Sequence, residues 1–133
     1  MKTSEASASV TTSKSTIYLL TNGVVVVEVI DNVVLDVSDL KEIVKKQGEL
    51  TGNKKHPVVT IPSEFTSVTK EAREFMSGKQ AAKYTLADAF IIRSLPQKIL
   101  ADFYIRFQKH AVPTKIFRTK EEAVKWAGKF VQK

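Results

Sequence analysis

The side chains able to do chemistry are few, and most of them stand apart. The densest group of hydroxyls is Ser63-Glu64-Phe65-Thr66-Ser67-Val68-Thr69, between an apolar run and the start of a helical pattern. A hydroxyl at a helix start meets free backbone N–H groups and the positive end of the helix dipole, and both favour an added phosphate. Thr66, Ser67 and Thr69 are therefore the candidate switch or ligand loop. The alternative is that Ser67 or Thr69 simply caps the helix. His56 and His110 have no acid within four residues, and neither belongs to an H-x-x-x-H or H-E-x-x-H pattern. Metal-ligand spacing is thus missing. With no cysteine, a thiolate nucleophile, a Cys-type zinc site, an iron–sulfur cluster and a disulfide framework are all excluded. The five glycines never approach a phosphate-cradling G-x-G-x-x-G or P-loop, and there is no G-x-S-x-G elbow. Asp36 and Asp39 read better as helix caps than as an acid–base pair. The expectation is a protein that is not an enzyme, with no catalytic residue, metal or cofactor.

A second cluster is apolar. In the helical stretch Pro96–Lys109, the residues Ile99, Leu100, Phe103 and Phe107 supply a core face. Ala101, Tyr104 and Ile105 fall outside that stripe, leaving Lys98, Asp102, Arg106 and Lys109 as a thin polar seam. A helix apolar nearly all round is either buried or docked on something. Lys98, Ala101, Tyr104, Ile105 and Arg106 are accordingly the candidate partner surface, facing a regulatory protein or a second copy of the chain. Cover by the N-terminal tail and a neighbouring helix, or a lipid contact aided by the basic seam, are the alternatives.

Charge is uneven. Residues 1–66 hold seven basic and eight acidic side chains, residues 67–133 fourteen basic and six acidic. A basic half can face nucleic acid, an anionic surface or an acidic partner. Here the basic residues come singly or in pairs, without a ribonucleoprotein motif or recognition-helix pattern, which favours a solvated surface; nucleic acid is not expected.

The elements that must position these groups follow from periodicity. The 133 residues suffice for one domain. Residues 1–14 are Ser/Thr-rich and read as a disordered tail, with the domain at 15–133. The longest apolar run, Gly23–Val27, is far short of the roughly 20 residues that cross a bilayer, and the chain reads as cytoplasmic. Thr16–Leu20 and Val24–Ile30 flank Thr21-Asn22-Gly23, a hairpin signal because Asn and Gly tolerate positive φ. Leu40, Ile43, Val44 and Leu50 share a helix face that Asp36 or Ser38 can cap and Gly52-Asn53 can end. Val58–Ile61 is a strand, Thr69 starts a helix bearing Ala72, Phe75 and Met76, and Lys79–Tyr84 reads as a further helical turn or two. Ala87–Ile92 and Pro113–Arg118 are strands. Ser94/Gln97 and Thr119/Glu122 have capping-box spacing before the last two helices. The order β-β-α-β-α-β-α-β-α predicts a mostly parallel sheet of about five strands, an N-terminal hairpin and about four helices. Right-handed crossovers between successive neighbours would put the helices on one face, leaving the other side of Val24–Val27 in need of cover.

The stretches 86–92 (LADAFII), 101–107 (ADFYIRF), 112–117 (VPTKIF) and 121–127 (EEAVKWA) resemble bacterial STAS/SEC14-type domains, SpoIIAA-like relatives of anti-sigma-factor antagonists. Residues 50–59 (LTGNKKHPVV) and 70–75 (KEAREF) fit the same pattern. The resemblance covers residues 16–127 and is strongest over 86–126. It implies a single STAS-like α/β domain with a non-enzymatic role, binding a regulatory protein or accommodating a nucleotide or lipid. The alternative function is a small lipid-like or anionic ligand-binding protein. Antagonists of that family carry a phosphorylated hydroxyl at the start of the second helix, and its nearest counterpart is Thr69. Val68 and Lys70-Glu71 depart from the acid before it and the small pair after it.

Overall fold

A computed structural model describes residues 6–63, 65–107 and 109–131. The hairpin forms as its turn chemistry dictates. Strands β2 (Ser15–Leu20) and β3 (Val25–Val29) run antiparallel, with Tyr18 opposite Val26. Gly23 takes φ +91°, and the Asn22 side-chain oxygen accepts from the Val24 N–H at 3.1 Å. The tail expectation is corrected over residues 6–11. They form β1 (Ala6–Thr11), antiparallel to β2 on its outer edge. Small and β-branched residues pack poorly by themselves but pair readily with an open edge, and Val10 adds to the cluster around Ile17, Val25, Val27 and Val58.

The remaining chain alternates. Short strand β4 (Val34–Leu35) precedes α1 (Val37–Thr51), then come β5 (His56–Ile61), β6 (Ser67–Val68) and α2 (Lys70–Met76). After them follow β7 (Thr85–Ile91), α3 (Leu95–Phe107), β8 (Thr114–Phe117) and α4 (Lys120–Gly128). Six strands form one sheet in the order β1-β2-β3-β5-β7-β8, and the last four are mutually parallel. β4 and β6 make a separate two-stranded parallel ladder. Residues 79–84 are turns, which corrects the expected extra helix. Gly78 ends α2 with its N–H on the Phe75 carbonyl.

Helix ends are where the capping signals put them. Asp36 caps α1 in a reciprocal box with Asp39, and Gly52 closes it at φ +64°. Thr119 caps α4. Ser94 and Gln97 exchange bonds at the start of α3: Gln97 N–H donates to Ser94 Oγ (3.3 Å), and Ser94 N–H to Gln97 Oε1 (3.4 Å).

Each crossover steps to the next strand in the same direction, so α1, α2 and α3 share one face. The other face is covered by α4, which returns across the sheet after the last strand. Ala123, Val124 and Ala127 pack there on Val24, Val26, Val59, Ala89 and Ile91. This is why Val24–Val27 lacks polar alternation: Val24 and Val26 lie beneath α4, Val25 and Val27 on the α1 side. Val131, just beyond α4, presses on the hairpin turn. A Cβ at Gly23 would lie 2.9 Å from Val131 Cγ1. Gly23→Ala combines this clash with a left-handed backbone, and urea unfolding should show a loss of about 2 kcal/mol.

Candidate functional site

The side of α3 that meets the sheet is not the one its periodicity suggests. Tyr104 is 8% exposed, whereas Leu95, Ile99, Leu100 and Phe103 are 70, 61, 59 and 55% exposed. The expected core face thus points outward, and Tyr104, expected on the partner surface, points in with Ala101 and Ile105 half-buried beside it. The Phe107 side chain lies outside the described part. The reason is that the helix carries two apolar stripes of equal quality. The choice between them is made by groups on other elements: Phe90 of β7 meets the Tyr104 ring edge-on (6.1 Å between centroids, 82°), and His110 packs on it at 4.6 Å. Gln97 adds a tether by donating from Nε2 to the Ser63 carbonyl at 2.8 Å.

Beneath α3 lies a groove of about 290 Å³. Leu100, Ala101, Tyr104 and Ile105 form its helix side, and Thr60, Phe90 and Ile116 its sheet floor. Its far wall is the β4–β6 ladder and α2, including Leu35, Val68, Arg73 and Met76. A smaller cavity of about 90 Å³ shares Val29, Leu35, Thr60, Met76 and Phe90 with that groove and reaches Asp88. Asp88 sits mid-strand on β7, level with Val58 on β5 and Thr114 on β8. Burial pushes its carboxyl up to about 7, because the charged form loses water without gaining a partner. Desolvation, reinforced by the Asp88 charge, also holds the Tyr104 phenol well above its ordinary range.

The groove brings together some of the sequence-derived candidates. Thr66 and Ser67 line it with Ala101, Tyr104 and Ile105, but Thr69 does not. Thr66 Oγ1 accepts from the Ser63 N–H (2.9 Å) and is hydrogen-bonded to Ser63 Oγ (2.7 Å), which donates to the Ile30 carbonyl. Ser67 is exposed, and its backbone N–H donates to the Val33 carbonyl in the small ladder. Thr69 is the N-cap of α2, accepting from the Ala72 N–H at 3.1 Å. Lys98 and Arg106 point to solvent, Lys98 paired with Asp102 at 2.7 Å. The histidines serve local backbone: His110 Nε2 reaches the Tyr104 carbonyl (3.2 Å) and His56 Nδ1 the Lys54 carbonyl (3.3 Å). Among the described residues no three His, Cys, Asp or Glu side chains gather as a metal site.

Asp88 escaped the sequence reading, although a signal was there. Ala87, Ala89 and Ile91 alternate with Leu86, Asp88 and Phe90, which places an acid midway along a strand inside a parallel sheet.

A model of the family described as "Domain of unknown function (DUF7793)" matches residues 18–131. The chain belongs to the DUF7793 family. No curated protein matches this DUF7793 chain. Among solved structures it is similar to an uncharacterized protein of the DUF3478 family, with a SpoIIAA-like fold, from Shewanella loihica PV-4. That match has a TM-score of 0.52 at 15% identity and covers 96% of this chain and 98% of that one. At this identity the likeness shows the fold: the DUF7793 domain is SpoIIAA-like, as its resemblance to STAS-type domains implied. Among its described residues, no helix is long and apolar enough to cross a membrane.

Proposed function

We propose that this DUF7793 domain is a non-catalytic, STAS-like interaction module of the cytoplasm that binds a regulatory protein or a second copy of itself through the outer stripe of α3. The observation that carries this reading is the stripe. Leu95, Ile99, Leu100 and Phe103 are each more than half exposed on one 13-residue helix. Contiguous apolar surface of this kind, rimmed by charges such as Lys98, Asp102 and Arg106, is the usual mark of a docking site. The hydroxyls and amides near the groove support a binding role over a catalytic one. Thr66, Thr69 and Gln97 each bond a backbone group, and Arg73 donates from Nη1 to the Val68 carbonyl at 2.9 Å.

The test is a paired substitution, Ile99→Glu with Phe103→Glu, at two positions more than half exposed. Light scattering and cross-linking in native extract should show the wild type in a complex, with itself or with another protein. The double variant should lose that complex at least tenfold, while Lys45→Glu on the far side of α1 keeps it. Equal complex formation by all three proteins would end the proposal.

A second reading, binding of a small ligand, is favoured by the groove and its inner cavity, which lie beneath α3 and share only Leu100 with the stripe.

A further inference from the structure

We infer that the groove and cavity beneath α3 form a binding site for a small molecule with an apolar body and a primary ammonium head, the head seated at Asp88. This site shares only Leu100 with the outer stripe, and the substitutions that test the stripe leave Leu100 unchanged, so either proposal can fail without the other.

The argument begins with the carboxyl. Asp88 lies inside the α-covered face of the sheet, between Val58 and Thr114 on the flanking strands. Among the described residues no hydrogen bond or ion pair reaches its carboxylate, and burial alone accounts for its perturbed acidity. Asp88 is half-buried, its carboxylate opening into the cavity, and an acid set among apolar walls without a cation or donors of the protein is placed for a ligand to supply them. Here none of the residues lining the cavity carries a positive charge. The nearby Gln47 amide is engaged elsewhere, donating to the Tyr84 carbonyl (2.9 Å) and Thr85 Oγ1 (3.2 Å). Tyr104 is close enough for the Asp88 charge to act on its phenol, yet no hydrogen bond joins the two.

The cavity around this carboxyl has about 90 Å³ to spare, room for a hydrated or ammonium-sized group, and its walls are Val27, Ile43, Val58 and Phe90. Sharing a wall with it is the 290 Å³ groove, whose surface is overwhelmingly hydrocarbon. The geometry therefore has the form of a ligand site: a mostly apolar trough with Arg73 on its far wall and Asp88 as the one charged group of its inner end, placed to fix orientation. Charge complementarity selects the occupant. An anionic head at the inner end would face Asp88 where no cation lines the cavity, and Arg73, on the far wall of the groove, donates from Nη1 to the Val68 carbonyl. A neutral alcohol would leave the carboxylate without a counter-charge, whereas an ammonium supplies both the charge and three N–H donors.

The probe is n-octylammonium, with n-octanol and octanoate as matched chains bearing neutral and negative heads. Titrations of the full chain followed by two-dimensional amide NMR should show saturable shifts along β7 and α3. Octylammonium should bind at least tenfold more tightly than octanol or octanoate. Asp88→Asn should abolish that preference while octanol binds as before, and Ala101→Trp, which fills the trough, should weaken all three. Should Asp88→Asn not fold, the carboxyl ¹³C titration of Asp88 in the wild type decides. Its midpoint falls by at least one pH unit with octylammonium bound. Octanol binding as tightly as the amine, an unchanged preference in Asp88→Asn, an unmoved midpoint, or no binding of any probe would each overturn the inference.

Discussion

Asp88→Asn is expected to stabilise the protein at pH 8 by far more than at pH 4.5, with the difference of the order of 3 kcal/mol. The carboxyl has an ordinary value of 3.8 and is pushed up to about 7 in the folded chain by desolvation. The folded state therefore holds a proton that the unfolded chain has released across the window from about pH 4 to about pH 7. Folding stability from this residue is intact below that window, falls as pH rises through it, and is level above pH 7. Each pH unit of separation corresponds to about 1.4 kcal/mol, and the roughly two and a half units between pH 4.5 and the folded value set the size of the effect. Asparagine has no proton to lose and removes the dependence while keeping the shape. Asp36 works in the opposite sense: the Ser38 hydroxyl and the Asp39 backbone N–H hold its carboxyl below the usual range, so its contribution is lost only in stronger acid. Because Asp36 is common to both proteins, it cancels from the comparison. Urea unfolding of wild type and variant at the two pH values provides the check; curves that stay a constant distance apart would show that Asp88 is as well solvated in the folded chain as in the unfolded one.

Ile91→Ala should cost about 3–4 kcal/mol, whereas Ile99→Ala should change stability by no more than about 0.5 kcal/mol. Ile91 is 2% exposed at the end of β7, in the cluster that joins Val26 and Val59 to Ala123, Val124 and Ala127 of α4. Truncation there loses hydrophobic transfer energy and leaves a cavity, since a sheet beneath a docked helix cannot collapse to fill it. The alanines of β7 and α4 make the layer close, and close layers relax least. Ile99 is 61% exposed on the outer stripe of α3, so its truncation removes little buried surface. The pair is a direct test of which way α3 faces. Similar losses at both positions would mean that Ile99 is buried in solution, by a rotated α3 or by a stable second copy, and chemical denaturation at several protein concentrations separates the two.

The comparison of these two isoleucines also shows how far the linear chain could be read. Signals confined to a few neighbouring residues were legible: the Thr21-Asn22-Gly23 hairpin, the Asp36 and Thr119 caps, Gly52 as a helix stop, and the alternation of strands and helices that makes the sheet parallel. β1 was missed because Ala6–Thr11 has no strong pattern of its own and becomes a strand only against the open edge of β2. The ladder of β4 and β6 was missed for the same reason, each being two residues long and defined by its partner. Of the hydroxyl loop, the capping alternative is the one the geometry realises at Thr69, while Thr66 and Ser67 do reach the groove.

By itself the sequence determined the local grammar, the α/β class and the lack of any cysteine-based chemistry, since each depends on residue types and short spacings. Only the tertiary structure decided that α4 folds back over the second face, that α3 turns Tyr104 inward and leaves Ile99 and Phe103 outside, and that Asp88 ends in a cavity without a counter-ion. Those outcomes depend on which distant surfaces meet. A helix with two equivalent apolar stripes, or an acid within an apolar strand, has no intrinsic preference until its neighbours in space supply one.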